Sequence, residues 1–262
     1  MDHMSTARID DVTFWYETHG DPEGEPVLLL HGGFVDSRMF APALPVLGDR
    51  FSLVTVDRRG QGRTPDPGGP LSYELMARDT IGFLEEVVRR PAHLVGYSDG
   101  ANVAMLVALR RPDLVGKLVL ISGDHHHEGL VPGAMDGFAD ESVVRALGPR
   151  YAEVSPHGEE HFPVVVGKLL RMAAAGPTLT PDDLAALSRR ALVMAGDDDA
   201  VTLEHTIAQY RAIPDADLAV VPHASHLLVM EKPEQVYGLV ADFLAGEPAA
   251  TRQPIRRAGG GS

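Results

Sequence analysis

Six short apolar runs constrain this chain more than any other feature. They are VLLLHGG at 27–33, FSLVTVD at 51–57, AHLVGY at 92–97, KLVLIS at 117–122, ALVMAG at 191–196 and DLAVVP at 217–222. Runs this short and this rich in Val, Leu and Ile, closed by Gly, Pro or Asp, read as strands buried on both faces. Segments of helical length separate them, at 73–89, 99–110, 202–213 and a last one ending in VADFLAG. Strand and helix in alternation predict an α/β fold, a mostly parallel central sheet flanked by helices. An earlier strand, VTFWYETHG, ends at Gly20.

The alternation breaks once. From Asp124 to Arg190 the strand signals vanish and helical spacing with turn residues takes over. The spacing predicts a core of residues 8–123 and 191–246 with an inserted helical cap at 124–190. One helix start inside it is well marked: Thr180 as N-cap, Pro181 at the first helical position and Asp183 three residues on. Residues 1–7, opening MDHM, and 247–262, with RRAGGGS, read as tag remnants or flexible ends outside the fold. Trp15 and Met230 are expected in the core.

The chemistry centres on Gly96-Tyr97-Ser98-Asp99-Gly100. This is G-x-S-x-G with a strand before it and a helix after it. A sharp strand-to-helix turn strains the serine backbone, and larger flanking side chains would clash. The turn presents Oγ where a carbonyl can approach. A serine hydroxyl needs a positioned base near pH 7. His31, His223 and His226 all stand at strand ends, where ligands gather in a parallel sheet. An acid must orient that base, and Asp197, Asp198 and Asp199 follow the run at 191–196.

These residues resemble the α/β-hydrolase superfamily, over about residues 8–246. The likeness rests on HGG at 31–33, DRRGQGRT at 57–64, GYSDGA at 96–101, GDDDAV at 196–201 and ASHLLVMEKPE at 224–234. It implies Ser98 as nucleophile, His226 as base and Asp199 as acid, with Asp198 the runner-up. It implies an oxyanion hole made by the backbone N–H groups of Phe34 and Asp99. His31 is then structural, His223 a loop histidine and Asp197 a solvated turn carboxylate. Asp57, Arg58 and Arg59 receive no catalytic role. The implied reaction is hydrolysis of a small or medium carboxylic ester through an acyl-serine, with no cofactor and no metal. Amide, lactone, thioester or carbon–carbon cleavage and perhydrolysis use the same triad. A ligand-binding protein and a cofactor-free oxygenase are the alternatives from other classes.

An acid directly after the nucleophile is similar to the biphenyl-hydrolase-like group, where it implies recognition of a substrate ammonium by Asp99. The bland counterpart is a carboxylate that suits a helix N-terminus. Phe34, His125, Phe138 and Phe162 are further candidates to line a substrate pocket. His125-His126-His127 cannot readily converge on one ion from an extended segment. HGEEH at 157–161 matches an inverted zinc-protease pattern, but Pro156 and Gly158 place it at a helix start, and it reads as coincidence.

Charge and composition bound the rest. A net charge of −14 disfavours nucleic acid and anionic lipid as partners; the partner the resemblance implies is a small-molecule ester. No apolar run approaches the ~20 residues that span a membrane, and no secretion signal is visible. With no cysteine, thiolate nucleophiles, thiolate metal sites and disulfides are excluded, and a reducing, cytoplasmic setting is expected.

Overall fold

The computed structural model describes residues 3–247 and 252–253. Eight strands form one sheet: β1 (His3–Ile9), β2 (Val12–Gly20), β3 (Glu25–Leu30), β4 (Phe51–Val56), β5 (Ala92–Tyr97), β6 (Val115–Ile121), β7 (Ala191–Asp198) and β8 (Ala216–Ser225). Their order across the sheet is β1-β2-β4-β3-β5-β6-β7-β8. β1 and β2 pair antiparallel, as do β2 and β4. Every pairing from β4 through β3 to β8 is parallel. The helices are α1 (Leu44–Leu47), α2 (Tyr73–Phe83), α3 (Asp99–Arg110), α4 (Asp136–Ala139), α5 (Glu141–Ala152), α6 (Phe162–Ala175), α7 (Pro181–Ala185), α8 (Leu203–Ala212), α9 (Leu228–Glu231) and α10 (Pro233–Ala245).

The alternation along each strand divides the core. In β3, Leu28 and Leu30 face one buried cluster with Met76 and Val103, from α2 and α3. Val27 and Leu29 face the other, with Leu47 of α1 and Tyr237 of α10. This is why β3 reads as an unbroken apolar run: both faces are covered.

Between β6 and β7 the chain is helical, from α4 to α7. Two isolated bridges, His126 to Thr178 and Leu130 to Val201, stitch this insertion to itself and to the core. Phe162, Val165, Leu169 and Met172 of α6 join the α2–α3 cluster. The start of α7 is capped as the sequence predicts: Thr180 Oγ1 accepts from Asp183 N–H, and the Asp183 carboxylate accepts from Thr180 N–H.

Three expectations need correction. Residues 3–7 belong to the fold, because His3–Ile9 forms β1 against β2. The rest of the expected loose ends, apart from Glu247, Arg252 and Gln253, lies outside the described residues. Trp15 is half-buried, with the Arg63 guanidinium 3.8 Å above its ring, and Met230 is exposed. The helix expected at 73–89 is α-helical only to Phe83. It widens into a π-turn at Leu84–Val88 and stops at Arg89, whose φ is 61°.

Candidate active site

The carboxyl ends of β3, β5, β6, β7 and β8 meet along one rim. At its centre β5 gives way to α3 in a single residue, Ser98, with φ 54° and ψ −123°. A non-glycine residue in this region is strained and persists only where its surroundings enforce it. The enforcement is visible. Ser98 N–H donates to Ile121 O at 2.8 Å, and Ser98 O accepts from Ala101 N–H at 2.8 Å. A Cβ on Gly96 would strike the backbone of Gly100, and one on Gly100 the backbone of Leu30.

The hydroxyl exposed by this turn is one end of a line. His226 Nε2 lies 3.1 Å from Ser98 Oγ, and His226 Nδ1 lies 2.7 Å from Asp199 Oδ1. A carboxylate only accepts, so Nδ1 carries the hydrogen and Nε2 is left to accept from the serine. The Asp199 side chain is fully buried. Its Oδ2 accepts from Ser122 Oγ at 2.5 Å and from Gly196 N–H at 3.1 Å, and its Oδ1 accepts from Val201 N–H at 3.2 Å. Burial alone would raise this carboxyl, but the hydrogen bonds from His226 and Ser122 outweigh it and hold its pKa below the ordinary value. The Tyr97 hydroxyl donates to His226 O at 2.9 Å and fixes the loop that carries the imidazole.

The neighbouring candidates are separated from this line. Asp198 is exposed within β7, and Asp197 Oδ1 accepts from Ala224 N–H at 3.1 Å. His223 is exposed. His31 is wholly buried and neutral: Nε2 accepts from Arg58 N–H at 3.0 Å and Nδ1 donates to Gly32 O at 2.7 Å. Burial, then the nearby Arg58 charge, pull its pKa down to about 3.

Asp99 answers why an acid follows the nucleophile. Its Oδ1 accepts from the Tyr73 hydroxyl at 2.6 Å, and its Oδ2 stands 4.0 Å from Arg58 Nη2. A Cβ on Gly33 would lie 2.6 Å from that Oδ2, so glycine lets the loop after β3 close over it. Arg58 is a buried cation with few partners. Nη2 donates to Gly32 O at 2.8 Å, Nη1 reaches Met76 Sδ at 3.0 Å, and Nε has none. Asp99 is its nearest carboxylate. The carboxylate expected to meet a substrate ammonium is therefore turned toward protein partners, and Arg58 touches the loop that presents Phe34.

The other pocket candidates divide. Phe34, with φ 62°, stacks its ring on Phe138 at 4.1 Å between centroids and 8° between planes. Phe162 is buried against Tyr151, with ring centroids 5.0 Å apart. His125 is buried and stacked on His205 of α8, centroids 3.8 Å apart. The pattern at 157–161 is engaged by a carboxylate. His157 Nε2 accepts from Asp66 N–H at 2.8 Å, and His161 Nε2 lies 2.9 Å from Asp66 Oδ2. Lys168 Nζ completes this cluster at 2.6–2.7 Å from the same carboxylate. The potential metal ligands His126, His127 and Glu128 come within 4.8 Å of one another, but His126 Nδ1 already accepts from Glu128 N–H at 3.3 Å. Sequence reasoning missed Ser122, Tyr73 and Tyr97. Ser122 had one signal, a polar residue at the end of an apolar run on the same rim. Asp124, two residues on, is buried with its Oδ1 accepting from Asn102 Nδ2 at 2.8 Å, and burial and then the Asp99 charge lift its pKa to about 6.

Comparison with known proteins places the chain among hydrolases. The pattern of the Alpha/beta hydrolase family matches residues 27–239. A putative carbamate hydrolase RutD of Caulobacter segnis is 39% identical over 124 residues, and the match spans 46% of each chain. A second putative carbamate hydrolase RutD, from Variovorax paradoxus, is 29% identical over 258 residues, 88% of this chain and 95% of that one. The meta-cleavage product hydrolase CumD of Pseudomonas fluorescens IP01 superposes with a TM-score of 0.75 at 21% identity, over 92% of this chain and 97% of that chain. No helix among the described residues is long and apolar enough to cross a membrane.

Proposed function

The chain belongs to the alpha/beta hydrolase family, and from that premise we propose that it is a serine hydrolase cleaving small or medium carboxylic esters through an acyl intermediate on Ser98. The observation that carries this reading is the unbroken hydrogen-bonded line from Ser98 Oγ through His226 to a fully buried Asp199. That constellation activates a hydroxyl that is otherwise a poor nucleophile.

Ser98 Oγ attacks the ester carbonyl while His226 Nε2 takes its proton. Asp199 holds the imidazole in the required tautomer and stabilises the imidazolium. The N–H groups of Phe34 and Asp99 receive the oxyanion, each such donor being worth about 2.7–4 kcal/mol in the transition state. His226 then protonates the departing alcohol. A water deprotonated by His226 releases the acid and restores the serine. The helices between β6 and β7 serve as the cap over a small-molecule substrate. The cysteine-free chain favours the reducing cytoplasm as its setting.

Cleavage of a carbamate by the same residues is the second reading, favoured by the two RutD relatives. The test is fluorophosphonate labelling with turnover of p-nitrophenyl acetate, an ester series and an N-alkyl carbamate. Labelling at Ser98 with ester turnover is expected. Labelling without turnover of any ester or carbamate would point to a ligand-binding protein instead. Oxygen uptake with a heteroaromatic substrate would point to an oxygenase.

A further inference from the structure

The insertion carries a cavity of about 870 Å³, open to solvent along one side, between α4, α5 and α6. Phe138, Phe162, Val166 and Leu170 give it apolar walls, while Glu141, Glu159 and Glu160 outnumber Arg145 at its exposed margin. A volume of this size suits a small molecule's apolar portion. Phe138 has two neighbours that matter. It lines the cavity, and its ring is stacked 4.1 Å from that of Phe34, the residue next to the reacting centre. Phe138 is therefore shared between the cavity wall and a stack of parallel rings with the loop that carries Phe34.

The segment that carries Phe138 is short. Phe138 sits on α4, a helix of four residues. The segment is held by local turns: Asp136 N–H to Gly133 O at 3.0 Å, Phe138 N–H to Met135 O at 3.1 Å and Asp140 N–H to Gly137 O at 3.3 Å. Its neighbours Asp136, Gly137 and Ala139 are exposed, so Phe138 is the anchor. Burying roughly two or three methylene groups outweighs an aromatic pair of this kind.

We propose that the cavity is the binding site for an extended apolar chain of the substrate, and that Phe138 is the gate that swings off Phe34 to join it to Ser98. This rests on the serine-hydrolase reading and adds a substrate class: esters with an apolar chain of medium length that ends without a negative charge. The three carboxylates at the margin repel a terminal anion.

The test compares wild type, Phe138→Ala, Leu170→Trp and Val144→Trp on p-nitrophenyl acetate, p-nitrophenyl octanoate and mono-p-nitrophenyl suberate. The octanoate-to-acetate ratio of kcat/KM should rise about tenfold in Phe138→Ala and fall about tenfold in the two tryptophan variants, which fill the cavity. Suberate should be cleaved about tenfold less well than octanoate. An unchanged ratio in Phe138→Ala and in both filled variants overturns the inference. Nile red, a neutral dye, supplies a readout without turnover: its fluorescence should rise with wild type and drop with Leu170→Trp or Val144→Trp. Equal dye fluorescence in all forms overturns the inference even if no ester is cleaved. Absence of Ser98-dependent turnover with the dye result intact would instead overturn the hydrolase reading alone.

Discussion

The rim of the sheet and the helical insertion beside it are held by different means. At the rim, Phe34, Ser98 and Ser122 all adopt positive φ, at 62°, 54° and 51°. Ser98 and Ser122 are fixed by hydrogen bonds from their N–H groups to Ile121 O and Met194 O, both at 2.8 Å. Among the described residues, those from Asp124 to Arg190 include no non-glycine residue with positive φ. The insertion is tied to the rest by the apolar face of α6, by the Phe34–Phe138 stack and by two polar clasps. One clasp joins Arg38 to Glu153 and to Arg150 O, and the other joins Asp66 to Lys168, His157 and His161. Backbone strain is concentrated at the rim and relaxed local structure in the insertion, the division expected if the rim holds reacting groups still.

The sharpest way to break this contrast is Ser98→Ala. Ester turnover should fall by about four to six powers of ten with the melting temperature almost unchanged, measured by p-nitrophenyl acetate kinetics and calorimetry. Near-normal turnover would remove the rim from the chemistry altogether. Next in size is the insertion clasp. Asp66→Ala leaves the buried Lys168 ammonium without its carboxylate and should cost about 3–5 kcal/mol of stability by chemical denaturation. Adding Lys168→Met should recover most of that loss, since no buried charge is then stranded.

A pH experiment probes the rim from beneath. Because Asp124 is raised to about 6 in the folded state, the native protein holds this proton more tightly than the unfolded chain. Its contribution is present below the unfolded pKa near 3.8 and is lost as pH rises through about 6. Across that window it should lower stability by up to about 1.4 kcal/mol per pH unit, a slope that Asp124→Asn flattens in denaturation curves. Ser122→Ala removes one hydrogen bond from Asp199 and should lower kcat about tenfold with KM little changed. The smallest effect belongs to Thr180→Ala at the start of α7, about 1 kcal/mol in stability with acetate turnover intact.

What could be read from sequence follows the same division. The buried strands announce themselves because both faces must be apolar, and Ser98 because only glycines fit around it. Asp199 was separable from Asp198 only by resemblance. The structure gives the physical reason: Asp198 continues β7 opposite Ser225, and the next residue turns inward. Residues 3–7 carry no clear strand signal because β1 is an edge strand with one paired neighbour, and residues such as Met4 remain 68% exposed. Nothing in the histidine triplet shows that the His125 ring turns toward α8. Ser122, Tyr73 and Arg58 act through contacts between residues far apart in sequence, and no local pattern encodes such meetings. The cavity was invisible for the same reason, since it exists only where α5 and α6 come together.

Arg58 has a consequence for the family's history. Guanidinium cannot discard its proton to escape a dry environment, even with burial drawing its pKa downward. The acid at 99 is thus tethered to the base at 58 through space. A lineage that exchanged Asp99 for a neutral side chain would strand a cation under the loop that carries Phe34, unless position 58 lost its charge as well. Related sequences should accordingly gain or lose the two charges together, a correlation that can be counted in any sufficiently deep collection of homologues.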